Sequence, residues 1–385
     1  MTGSRPLSRR YLAWVPGLLL GVTLSGCGGR GTEPEAVRIG VLVSLSGSEG
    51  QPTVEAAELA VTSVNAGGGV DVGGRRHRVE LLFEDTQTAP DKAIEGARRL
   101  IQRHIVALVG PGRSRDAIAV AGAVEHVRIP MISAAATHPQ VTAGRRYVFR
   151  VTFTDRIQGV ALGRFAAEEL GARTAAVLYD AASAYNRNLA LVFREAFESV
   201  GGKVVASEIY TTGAVDFSRQ LETIRAAAPQ VLLLPNYAEE IPSQARQARE
   251  LGIDATLLGG DSWTMVPLAG QPQLEGAFFG LHWHLDETEV NPQARLFAAA
   301  FRHAYGCDAS VPAALTYDAV GLLLHAIESA GTDPEEIRRA LSEIEGYPGV
   351  TGPITFRNMA GDPPKRLIIA RAQQGKARRY KEIEP

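Results

Sequence analysis

Cysteine is almost missing from this chain: Cys27 and Cys307 are the only two in 385 residues. The first falls at the end of an N-terminal leader, which leaves Cys307 without an intrachain partner and excludes a disulfide framework. An excess of one charge is also missing, with 40 Lys and Arg against 42 Asp and Glu. With no basic stripe or tail, nucleic acid is excluded as an expected partner. Catalytic signatures are absent too: there is no Gly-x-Ser-x-Gly elbow, no His-Glu-x-x-His pair and no Walker loop, so an enzyme is not expected. The Gly-rich stretch Gly67–Gly74 follows a helical pattern rather than a strand, so it reads as a connection and not a dinucleotide loop. Beyond the leader, no segment is apolar enough to cross a membrane.

The first residues set the expected compartment. Arg5, Arg9 and Arg10 form a positive region with no acidic residue before Glu33, and the broken apolar stretch Tyr11–Leu24 follows. That pattern is a signal peptide over residues 1–26. It ends in Leu24-Ser25-Gly26-Cys27, which looks like a lipobox and makes Cys27 the expected lipidation site. Several acyl chains give a stable tether where one does not. Residues 27–35 are then a flexible Gly/Pro/polar spacer. Removing the leader takes three arginines, which lowers the net charge from −2 to −5. The expectation is an extracytoplasmic domain held to the membrane through its lipid alone.

With 45% hydrophobic residues, the remaining chain can build large cores, and its length suits two domains. Short apolar runs alternate with amphipathic helical stretches: Val37–Val43, Val79–Phe83, Ile105–Val109, Ile129–Ile132 and Tyr147–Val151 read as strands. The rhythm resumes with strands at Ala175–Leu178, Val204–Ile209, Val231–Leu234, Thr256–Leu258 and Gly276–His284. Continuous apolar strands separated by helices predict parallel sheets covered on both faces. Asp155 is a candidate cap for the helix that follows it. Helices at about Pro292–Tyr305, Pro312–Ser329 and Asp333–Ile344, with strands at Val350–Phe356 and Leu367–Ala372, are too few for a third domain. They read as elements returning to complete the earlier two, with the site in the cleft between them.

Several segments together resemble the leucine/isoleucine/valine-binding family of type I periplasmic solute-binding proteins. They are Ile39–Gly47, Ala57–Gly69, Leu108–Ser114, Ile129–Thr142, Asp216–Leu221, Gln247–Gly252, Gly259–Trp263, Tyr317–Gly321 and Gly349–Phe356. The resemblance implies an α/β fold of two flavodoxin-like lobes joined by three hinge crossings, here near Val151–Phe153, Gly280–His284 and Val350–Phe356. Lobe one is then expected over 36–152 plus 284–352, and lobe two over 153–283 plus 353–385.

The same resemblance assigns a site. Ser114 opens a helix after Gly110-Pro111-Gly112-Arg113, where backbone N–H groups and the helix dipole favour an anion. It is expected to bind a ligand carboxylate, with main chain at Ala135 and the Thr137 hydroxyl completing recognition; helix capping is the plain alternative for Ser114. Tyr185, Tyr237 and Asp261 follow strand ends in the second lobe, where ligands of open α/β sheets bind. Asp261 matches the acidic residue that pairs with a ligand ammonium. Glu49 stands near an expected aromatic wall, and Arg113 and Arg115 flank Ser114 without an assigned role. His282 and His284 alternate along a strand and would share a face, but with no third ligand a metal is not expected.

No cofactor is expected. The implied function is the solute-binding component of an ABC importer, a monomer that closes on an amino acid (branched-chain by default) or a related small carboxylate and is read by permease and ATPase subunits. The rival reading is a ligand sensor that reports to a receptor or regulator.

Overall fold

A computed structural model describes residues 36–384; the leader, Cys27 and most of the spacer lie outside them. Five parallel strands form the first sheet, in the order 79–85, 37–43, 107–109, 131–133, 148–150. These strands are apolar on both faces because helices cover both. Val37, Ile39 and Val41 point into one core with Leu315, Leu322 and Ile327 of the helix Val311–Ala330. Leu42, Leu108 and Met131 face the other side, against the helices Pro90–Gln102 and Ser114–Val127. Each such side chain, once buried, contributes about 1.5–3 kcal/mol.

The second sheet has seven strands, ordered 376–383, 367–373, 278–281, 256–259, 231–234, 174–180, 203–210. The last five are parallel, and Leu367–Gln373 and Lys376–Ile383 add antiparallel at one edge. Two separate apolar clusters cover its faces. The protein is thus a two-lobe α/β fold with mainly parallel sheets.

Several elements differ from their expected form. Lys376–Ile383 was not expected as a strand, and Gly67–Gly74 contains part of a small hairpin, Val70–Val72 paired with Arg75–His77. The expected strand Val350–Phe356 is instead a hairpin, Tyr347–Gly349 with Gly352–Ile354. Ile354 and Phe356 pack into the first lobe's core, Phe356 at 5.0 Å from the Phe149 ring. Beyond Phe356, Lys365 donates to the Thr351 carbonyl at 2.7 Å. The expected strand through His284 ends at Leu281, so His282 and His284 do not share a strand face. Thr154, not Asp155, caps the helix Asp155–Arg164, accepting from the Ile157 N–H at 3.5 Å.

The other two crossings lie side by side. Val151 belongs to a first-lobe core and Phe153 to a second-lobe core; Leu281 and Trp283 divide in the same way. The rings of Phe153 and His282 stack 3.7 Å apart at that point.

Candidate ligand-binding cleft

The loops at the carboxyl ends of both sheets converge on one cavity of about 70 Å³, whose wall includes Ser114, Ala135, Thr137, Tyr185, Tyr237 and Asp261. A single water needs roughly 10–15 Å³ on that scale, so the space is sized for a small solute. All the side chains proposed from sequence are thus brought together. Glu49, Arg113 and His282 share the wall; Arg115 and His284 stand outside it.

On the first lobe, tight backbone turns bring the loops inward. Gly110 sits at φ 84°, and a Cβ there would meet the Leu42 carbonyl at 2.2 Å, so no other residue fits this bend. The buried Ser133 hydroxyl donates to the Pro111 carbonyl at 3.0 Å, tying the two loops together. Ser114 is the first residue of its helix and does not cap it; its Oγ accepts from the His138 N–H at 3.3 Å. Thr137 is buried, and its carbonyl accepts from the Asp155 N–H at 2.9 Å.

The second lobe supplies a hydrogen-bonded acid. Asp261 opens a short 3₁₀ turn after the strand Thr256–Gly259. Its Oδ1 accepts from the Gln158 amide and the Tyr185 hydroxyl, both at 2.8 Å, while Oδ2 lies 3.0 Å from His282 Nε2. Gly260 makes this closeness possible: a Cβ there would stand 2.1 Å from the Tyr185 oxygen. Burial, next to the Asp261 charge, pushes the Tyr185 phenol well above its ordinary range, so it acts as a donor. Asn236 is fully buried, donates to the Leu178 carbonyl at 2.8 Å, and thereby fixes the loop that carries Tyr237.

Behind Thr137 lies Asp155, fully buried, with Oδ2 accepting from Asn188 at 2.9 Å and Oδ1 unpartnered. Burial pushes its carboxyl up to about 7, opposed by the hydrogen bond from Asn188.

The far end of the cavity carries a different charged group. Arg113 Nε donates to Glu49 Oε1 at 2.9 Å, and its Nη2 reaches across the cleft to Glu239 at 2.7 Å. Its guanidinium lies 4.4 Å from the Tyr237 ring centroid, a cation–π contact. Glu49 thus stands in the wall as an ion-pair partner.

His284 turns away, its Nε2 lying 3.2 Å from the Ala377 carbonyl. Among the described residues no group of three His, Cys, Asp or Glu could hold a metal ion. Gln158 and the contact of His282 with Asp261 were not foreseen. Gln158 belongs to no motif, whereas His282 stood out only for its spacing from His284.

Two α/β lobes with chain crossings between them, and a cavity at the facing strand ends, define a type I periplasmic solute-binding architecture. The sequence profile of the Periplasmic binding protein family matches residues 36–377, and the chain belongs to that family. The leucine-, isoleucine-, valine-, threonine- and alanine-binding protein of Pseudomonas aeruginosa is 28% identical over 74% of this chain and 75% of its own. A crystal structure of a leucine-binding protein from Thermotoga maritima superposes with a TM-score of 0.85 at 31% identity, over 91% of this chain and 99% of that one. A Streptococcus pneumoniae branched-chain amino acid transporter substrate-binding protein, solved with isoleucine, gives 0.83 at 28% identity, over 91% and 100%. The family is one of extracytoplasmic solute-binding proteins, and no described helix here is long and apolar enough to cross a membrane.

Proposed function

We propose that this chain is the solute-binding component of an ABC importer and captures an α-amino acid, a branched-chain one by default. The observation that carries the reading is the Asp261 carboxylate, held by Gln158, Tyr185 and His282 on the wall of a cavity it shares with Ser114 and Thr137. The Ser114 helix start and the Ala135–Thr137 loop receive the ligand carboxylate, and Asp261 receives the ammonium. The charge balance favours a zwitterion over a simple carboxylic acid. Arg113 is already shared between Glu49 and Glu239 and does not reach Asp261, whose partners are Gln158, Tyr185 and His282. An amine-free anion would bring no ammonium to pair with that acid.

Capture proceeds by closure. The ligand docks on the first lobe, and bending at the crossings brings Tyr185, Tyr237 and Asp261 over it and excludes water. It drives closure to the extent that it binds the closed form better than the open one. We further propose that Cys27 carries a lipid anchor, that the domain is a monomer, and that a permease with its ATPase subunits reads the closed form. Lobe one then comprises 36–152 with the segment from about 284 through Phe356, and lobe two the rest.

A thermal-shift screen of residues 28–385 against amino acids, amides and aromatic acids tests the reading. Ligand at a hundred times its Kd adds about 2.7 kcal/mol, a shift of several degrees. Stabilisation by a group of amino acids is expected. Stabilisation by amine-free acids alone would refute the ammonium role of Asp261, and no response to any solute would turn the reading toward a sensor.

A further inference from the structure

We propose that Arg113 is a specificity residue: its side chain, laid on Tyr237, is the partition that ends the ligand cavity and limits how long a bound amino acid's side chain can be. The proposal rests on the amino-acid reading above. Beyond Arg113 lies a second cavity of about 300 Å³ between the same two lobes, and Arg113 and Tyr237 line both spaces. The guanidinium lies 4.4 Å from the Tyr237 ring centroid, and carboxylates from opposite lobes grip it at 2.9 and 2.7 Å. The Arg113 side chain is only 14% exposed. A cation so held is costly to expel, because displacement would strand Glu49, whose side chain is 16% exposed, without a counter-ion. A ligand side chain therefore stops at the partition.

The space behind it has its own chemistry. Asp116, Asp180 and Glu240 line it, and Asp116 is 1% exposed with Oδ2 unpartnered. Arg113 and Arg115 are the cations on the same wall, and both are engaged, Arg115 with the Thr88 carbonyl at 3.0 Å. With the partition removed, the joined cavity would accept a long side chain ending in a cation. The native protein thus selects short aliphatic side chains, and the residue that enforces this also excludes lysine and arginine.

Isothermal titration of valine, leucine, lysine and arginine into the parent, Arg113→Ala, Arg113→Met and Glu239→Gln proteins tests this. The parent is expected to prefer valine or leucine over the basic amino acids by about a hundredfold or more, and Arg113→Ala to narrow that ratio by about tenfold. Arg113→Met keeps the length of the wall and is expected to keep most of the discrimination. Glu239→Gln removes the cross-lobe ion pair but not the wall, so it weakens all amino acids alike. An unchanged ratio in an Arg113→Ala protein that melts cooperatively and binds leucine would overturn the partition alone. An equal change of ratio in Glu239→Gln would overturn it too, by assigning selection to closure. A parent that binds no amino acid would overturn the underlying reading and the length limit together.

Discussion

The two ends of the cavity each hold an acid, and they are built in opposite ways. At one end Asp261 takes its partners Gln158, Tyr185 and His282 from the second lobe and its boundary, and its own side chain is 11% exposed. At the other, Arg113 is shared between Glu49 on its own lobe and Glu239 on the opposite lobe, the latter 43% exposed. The first cluster draws on one lobe and its boundary, so on the proposed closure it persists when the cleft opens. The second exists in full only when the lobes meet. On the proposed amino-acid reading, recognition is therefore pre-organised at the Asp261 end, while the far end reports on closure.

That contrast predicts unequal responses to mutation. The largest is at Asp261. A hydrogen bond to a charged group contributes about 1.5–3 kcal/mol, so Asp261→Asn should weaken amino-acid binding roughly 10- to 100-fold. The deaminated acid of the same carbon skeleton should change far less, because it offers no ammonium to lose. Equal losses for both, measured by titration calorimetry, would remove Asp261 from ammonium recognition and reduce it to a prop for Tyr185.

Glu239→Gln should do less. Partly exposed ion pairs contribute about 0.2–1 kcal/mol, which corresponds to a loss of up to about fivefold at low salt. The sharper readout is the salt dependence. Raising ionic strength from about 0.01 to 1 M shortens the screening length from about 30 to 3 Å. Amino-acid affinity of the parent should fall over that range, and that of Glu239→Gln should fall less steeply. Parallel slopes would mean that the Arg113–Glu239 contact contributes nothing to closure.

The same contrast explains what could be read from the sequence. The sheets were legible because their strands, such as Val231–Leu234, are buried on both faces and so are uninterrupted apolar runs. Lys376–Ile383 was not legible: as an edge strand exposed along much of its length, it carries Lys, Arg and Glu and reads as solvated loop. The hairpin at Tyr347–Ile354 hid inside an apolar stretch because the turn at Val350-Thr351 interrupts it. The residues now on the cavity wall were legible through local motifs at strand ends. Their supports were not: Gln158 is an isolated polar residue 103 positions from Asp261, and Arg113 meets Glu239 across 126 positions. Pairings at such range depend on how the lobes fold and meet, and no local spacing encodes them.

The last expected effect is on stability rather than binding and concerns Asp155, which stands behind the preformed end and ties Thr137 to the first crossing. Burial raises its carboxyl to about 7 in the folded protein, whereas an unfolded aspartate titrates near 4, at roughly its ordinary value. Between those values the folded chain holds a proton that the unfolded chain has released. Stability therefore falls as pH rises from about 4 to about 7, and the penalty is fully present above that. Asp116 and Glu240, raised by burial to about 6 and about 7, act in the same direction and leave a residual slope in any single variant. Asp155→Asn should melt close to the parent at pH 4, where both side chains are neutral, and above it at pH 8. The gap between the two melting temperatures should open progressively across that window. A gap that is constant with pH would show that Asp155 is not held protonated, and an Asn variant less stable at pH 8 would show that its charge is compensated in the fold.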